Sequence, residues 1–120
     1  MQIGIDLGAS KIEYVLLDDV GNEHHRERTE VPKNYKDTLS IIKKIVIELE
    51  RKAGKELPVG VCHPGIHSIQ TGLVKNAPNS FWINGKPLQR DLRSEIGKEI
   101  YCENDANCFA LSEAIDGSGK

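Results

Sequence analysis

The chain has 120 residues, a size that fits one domain able to bury roughly two-thirds of its unfolded surface. Its 16 basic and 18 acidic residues are mixed along the chain and leave a formal net charge of −2, which excludes nucleic-acid or membrane-surface binding driven by bulk charge. A hydrophobic content of 38% is too high for disorder, and no apolar run approaches the ~18 residues that span a bilayer. The N-terminal MQIGID is neither basic nor followed by a signal-peptide core, so a cytoplasmic location is the default expectation.

In chain order, residues 2–6 predict a short apolar strand that Gly8 breaks, and residues 12–18 (IEYVLLD) predict a second. Residues 19–22 (DVGN) supply the glycine and asparagine that a tight reversal needs. Residues 23–31 read as a polar, edge-like third strand ending at Pro32, completing an antiparallel meander. From Tyr35 to Ala53 the period changes. Leu39, Ile42, Ile45, Val46, Leu49 and Ala53 form one helical stripe, with Lys43, Lys44, Glu48 and Arg51 facing out. Asn34 or Asp37 can cap the start, and Gly54 supplies the left-handed end.

A buried strand follows at residues 57–62, closed by Pro64-Gly65. Residues 66–87 read as irregular, with a short strand near 73–74; so long an irregular stretch in a small domain is more often a binding segment than a spacer. A helix over residues 88–96 leads through Gly97 into a strand at 99–103, and a last helix is expected at 106–115. The pattern predicts an α/β layer fold with a mixed sheet. Its β-β-β-α-β-α-β-α order resembles the half-domain of ribonuclease-H-like, actin-like ATPase folds, taken as one domain over residues 1–120.

Cys62, Cys102 and Cys108 are an odd set without CxxC spacing, which predicts small buried apolar side chains rather than a disulfide framework or a structural zinc site. His24 and His25 are adjacent and face opposite ways in a strand, while Pro64 and Gly65 break any helical pairing of His63 with His67. No metal site is expected from these histidines.

Two stretches carry the chemistry. In IGIDLGASK, residues 3–11, a strand runs into a glycine turn followed by a hydroxyl and a lysine. Backbone N–H groups hold phosphate oxygens well where no Cβ intervenes, so Gly8, Ser10 and Lys11 form a candidate phosphate loop; a plain glycine hairpin is the alternative. In ENDANCFALSEA, residues 103–114, Asp105 stands where a strand ends and a helix begins. It is either an N-cap, a general base, or both. A carboxylate at a helix N-terminus is held ionised and ready to accept a proton.

These stretches, with VGVCHPG, TGLVKNAPNSFWINGKPL and the run ENDANCFALSEAIDG, resemble the N-terminal domain of ROK-family sugar kinases (repressors, uncharacterised open reading frames and kinases) over essentially the whole chain. The resemblance is to the fructokinase, mannofructokinase and N-acetylglucosamine kinase branch. It implies ATP-dependent, Mg²⁺-dependent phosphorylation of a hexose (fructose, mannose or an N-acetylhexosamine) at its primary hydroxyl. Asp105 would be the base, Asn104 a sugar ligand, and Asp6 the Mg²⁺-associated carboxylate acting through water. By the same analogy Gly65 and Asn79 line the sugar side, Asn107 and Glu113 are supports, and Trp82 either stacks on the sugar or anchors packing.

The resemblance also implies a C-terminal kinase domain carrying a second phosphate loop, the adenosine site and often a Cys/His zinc site, and a homo-oligomeric parent. Residues 1–120 alone are then expected to be inactive. This chain has GAS where relatives usually have GGT, and Cys62-His63 where they carry small or apolar residues. Two other readings are a sugar-sensing domain of a ROK-type transcriptional regulator and a non-catalytic interaction module. Because the first strand begins by Ile3, no DNA-reading segment is expected ahead of it.

Overall fold

A computed structural model of the chain describes residues 1–68, 70–75, 77 and 81–104. The meander forms as expected. β1 (Gln2–Leu7), β2 (Lys11–Leu17) and β3 (Glu23–Glu30) pair antiparallel in sequence. The turn between β2 and β3 is held by Asp18, whose Oδ1 accepts the amides of Val20 (3.0 Å) and Asn22 (2.9 Å), while Gly21 takes the left-handed φ of 87°. β3 is polar along its whole length, which protects an edge from pairing with another chain. Arg26 braces it, bonding Glu23 on its own strand and Glu13 on β2.

α1 spans Tyr35–Ala53, its predicted bounds. Of the two predicted caps, Asn34 is the one used: its side chain accepts the Asp37 amide at 2.8 Å, and Gly54 ends the helix at a φ of 74°. β4 (Val59–His63) then lies parallel to β1, beginning after Pro58 and running one residue beyond the expected end. α2 (Leu88–Ile96) and the last described strand, numbered below, follow with Gly97 between them.

The described part of residues 66–87 carries more regular structure than the sequence suggests. β5 (Ile66–His67) and β6 (Val74–Lys75) form a small antiparallel sheet, and residues Phe81–Ile83 make one 3₁₀ turn. Val74, Ala77, Trp82 and Ile83 are buried, so the segment is held by packing rather than by periodicity. Trp82 belongs to this core, which makes it a packing anchor rather than an exposed stacking surface.

β7 (Ile100–Asn104) pairs parallel with β4 and completes a five-stranded mixed sheet in the order β3-β2-β1-β4-β7. Alternation along each strand decides the two faces. Ile3, Ile5, Leu7, Ile12, Tyr14, Leu16, Val59, Val61 and Ile100 are buried in one core with Ile42, Val46 and Leu49 of α1 and Leu88 and Leu92 of α2. The intervening residues, Asp6, Glu13, Cys62 and Glu103 among them, lie on the opposite face. The helix expected at 106–115 lies outside the described residues.

The cysteine expectation needs correcting. Cys62 is disulfide-bonded, and Cys102 is a free, half-buried thiol pushed up to about 12 by burial, so it stays protonated. Cys62 faces away from α1 and α2 and is not part of the apolar core they form with the sheet, which is why the buried-thiol reading fails there. Among the described residues, no helix is long and apolar enough to cross a membrane.

Candidate active site

Three parallel strands end at one edge of the sheet. Register aligns Asp6 of β1 with Cys62 of β4 and Cys62 with Glu103 of β7, and His63 with Asn104. At an interstrand spacing of about 4.8 Å, Asp6 and Glu103 stand on strands roughly 10 Å apart. The Gly8 turn leaves β1 and the Pro64-Gly65 turn leaves β4, both at the carboxyl ends of neighbouring strands. In open α/β sheets this edge is where ligands bind.

The Gly8 turn is a tight hairpin. Gly8 donates its amide to the Lys11 carbonyl at 2.9 Å, and a Cβ on Gly8 would lie 2.9 Å from that same oxygen. Glycine is therefore needed so that two strands can approach, and its own amide is already used. The groups the turn offers an anion are at Ala9, Ser10 and Lys11, all exposed. The Ser10 carbonyl accepts the Val31 amide at 3.1 Å, fixing the turn to the end of β3. Lys11 lies 3.5 Å from Glu30, an exposed pair of little energetic weight.

The Pro64-Gly65 turn is tightly built. Gly65 has a φ of 80°, and a Cβ there would meet the Lys75 carbonyl oxygen at 2.5 Å and the Ala77 Cβ at 3.1 Å. His63, fully buried, lies with Nδ1 2.9 Å from the Pro64 carbonyl oxygen. That oxygen can only accept, so Nδ1 carries the proton. Behind the turn, Asn84 bonds both backbone groups of Ala77: Oδ1 accepts the Ala77 amide and Nδ2 donates to its carbonyl, each at 3.0 Å. The sequence signal for this clamp was weak, because an Asn-Gly pair reads as an ordinary turn.

Of the expected site residues, Asp6, Gly8, Ser10, Lys11, Gly65 and the backbone of Asn104 are gathered at this edge. Asp105 and Asn79 lie outside the described residues. No cluster of three or more His, Cys, Asp or Glu side chains suited to a metal occurs among the described residues. An exposed carboxylate such as Asp6 suits Mg²⁺, which keeps several waters and takes one or two carboxylates plus substrate phosphates.

The sequence profile of the ROK family matches residues 2–120. The chain belongs to the ROK family. Its relatives include an N-acetyl-D-glucosamine kinase of Haemophilus influenzae, 39% identical over 97% of this chain and 38% of that protein. Among solved structures, a ROK glucokinase from Streptomyces griseus, in complex with glucose and AMPPNP, superposes with a TM-score of 0.84 at 26% identity, covering 99% of this chain and 38% of that one. An inorganic polyphosphate/ATP-glucomannokinase from Arthrobacter sp. strain KM gives a TM-score of 0.80 at 30% identity over 99% of this chain and 49% of its own. The fold of this ROK chain is thus the mixed α/β sheet of the actin-like kinases. The chain spans about 38% of the length of the curated relative it matches.

Proposed function

We propose that the protein containing this ROK chain is an ATP-dependent hexose kinase. In this reading the carboxyl ends of β1, β4 and β7 form one wall of its catalytic cleft. The observation that carries the reading is the convergence of the Gly8 turn, the Pro64-Gly65 turn and Asn104 at that edge within a chain of this family. Among fructose, mannose and N-acetylhexosamines, the name of the Haemophilus influenzae relative favours N-acetylglucosamine.

Asp105 takes the proton of the primary hydroxyl as the sugar oxygen bonds to the γ-phosphorus, and ADP departs with the electrons of the broken P–O bond. Such help is worth typically ~10²–10⁴ in rate. Asn104 and Asn79 hold sugar hydroxyls, which both donate and accept, and Gly65 brings backbone close to the ring. Ser10 and Lys11 hold the phosphate end. Mg²⁺ near Asp6 would neutralise charge on the phosphates. The remainder of the protein supplies the nucleoside site and the second phosphate loop, and closure between the two lobes excludes water.

The test uses the full-length protein with ATP and Mg²⁺ against N-acetylglucosamine, N-acetylmannosamine, glucose, mannose and fructose. Turnover is expected with at least one sugar, and Asp105→Asn should lower kcat by roughly 10²–10⁴. Absence of turnover with every sugar, or an Asp105→Asn variant of undiminished kcat, sinks the reading.

A further inference from the structure

Asn84 follows the 3₁₀ turn Phe81–Ile83, and its side chain bonds protein backbone. Its carboxamide bonds the amide and the carbonyl of Ala77 at once, both at 3.0 Å and across seven residues of chain. Only a group that both donates and accepts with this spacing can satisfy one residue's two backbone groups, and asparagine is the shortest side chain that does so. The carboxamide takes the place that a neighbouring strand would occupy. Next to it a true backbone pairing runs along the same piece of chain: Gly85 donates to the Val74 carbonyl at 2.7 Å, and Val74 donates to the Lys86 carbonyl at 2.9 Å.

What Asn84 holds matters more than how it holds it. Ala77 is fully buried, and its amide nitrogen and Cβ would lie 3.2 and 3.1 Å from a Cβ built on Gly65. The backbone of Lys75 and Ala77 is therefore the floor against which the Pro64-Gly65 turn rests. Lys75 is already paired with Ile66 in the β5–β6 ribbon. Ala77 lies beyond that ribbon, where Asn84 supplies its backbone partners.

We propose that Asn84 is a positioning residue for the sugar side of the cleft: it locks Ala77 beneath Gly65, and so sets the height of the turn that faces the substrate. This rests on the reading above that Gly65 lies on the sugar side. Replacing the carboxamide by a carboxylate keeps the acceptor for the Ala77 amide but sets a second acceptor against the Ala77 carbonyl. The turn then loses its floor, while the Ser10–Lys11 phosphate turn, built on β1 and β2, is untouched.

The experiment is steady-state kinetics of the full-length protein and its Asn84→Asp and Asn84→Leu variants, with the five sugars named above and with ATP. A positioning role predicts a sugar KM raised about tenfold in both variants, the scale of one or two neutral hydrogen bonds, with the KM for ATP and kcat within about twofold of wild type. Unchanged sugar KM, or parallel changes in the sugar and ATP constants, overturns the proposal while leaving the kinase reading intact. A wild-type protein without sugar turnover overturns both. Should both variants fail to fold, amide exchange of the wild type decides: slow exchange at Ala77 that slows further with sugar supports the clamp, and exchange at the rate of an exposed loop removes it.

Discussion

Gly65 shows how a single residue joins fold and site. Its φ of 80° is one that residues with a Cβ rarely adopt, and the space a methyl would need is taken by the Lys75 carbonyl at 2.5 Å. Gly65→Ala combines backbone strain of about 1–3 kcal/mol with a contact against backbone that cannot swing away. Urea unfolding should show a loss of at least about 1 kcal/mol, and a variant as stable as wild type would mean the turn is not built this way. Gly8 carries a different constraint. It serves strand approach at the hairpin and its amide is already bonded, so in the proposed kinase the phosphate contacts come from the residues after it.

At the scale of elements, α1 and the β2–β3 turn each rest on a polar side chain. Asn34 satisfies the Asp37 amide at the start of α1, and Asn34→Ala should cost about 1 kcal/mol, read as a lower urea midpoint at unchanged m-value. Asp18 is held down to about 2, first by its hydrogen bond with His24 and then by the Asn22 amide. Because the folded state lowers this acid, its contribution is complete above the ordinary carboxylate range near pH 4. It fades as pH falls toward about 2. An Asp18→Asn variant should flatten the acid-unfolding profile in that window, and an identical slope would argue against it. Tyr14 moves the other way: burial and then the Glu27 carboxylate push it up to about 12, so it remains a neutral donor to Glu27 at 2.8 Å.

Across the whole molecule, the helices and the sheet are joined by a small polar knot. Lys98, on the segment before β7, bonds both Glu50 near the end of α1 and the Leu57 carbonyl ahead of β4, and Glu50 accepts the Leu57 amide at 2.9 Å. Lys98 and Glu50 are each only 18% exposed, so the pair is less screened than a surface bridge. Lys98→Met should destabilise by about 2 kcal/mol, since it removes charge-assisted bonds and leaves Glu50 without its cation. Thermal unfolding of the full-length protein checks this, and an unchanged midpoint would show the knot to be idle. Tyr35 makes a second long-range tie, its hydroxyl donating to Asp91 of α2 at 2.7 Å.

Local chemistry in the sequence determined most of the elements. The stripe from Leu39 to Ala53, the caps at Asn34 and Gly54, and the alternation in residues 12–18 act over a few residues, so they are legible without a fold. In residues 66–87 a short strand near 73–74 and the packing role of Trp82 were partly legible, but the β5–β6 pairing and the Asn84–Ala77 clamp were not. Each is fixed by partners distant along the chain, and neither two-residue strands nor an Asn-Gly pair carries a period. The motifs at Gly8, Gly65 and Asn104 could be read one by one, but only the parallel pairing of β1, β4 and β7 brings them to a common edge. Strand order is a choice among long-range hydrogen-bonded pairings, and the tertiary structure alone makes that choice.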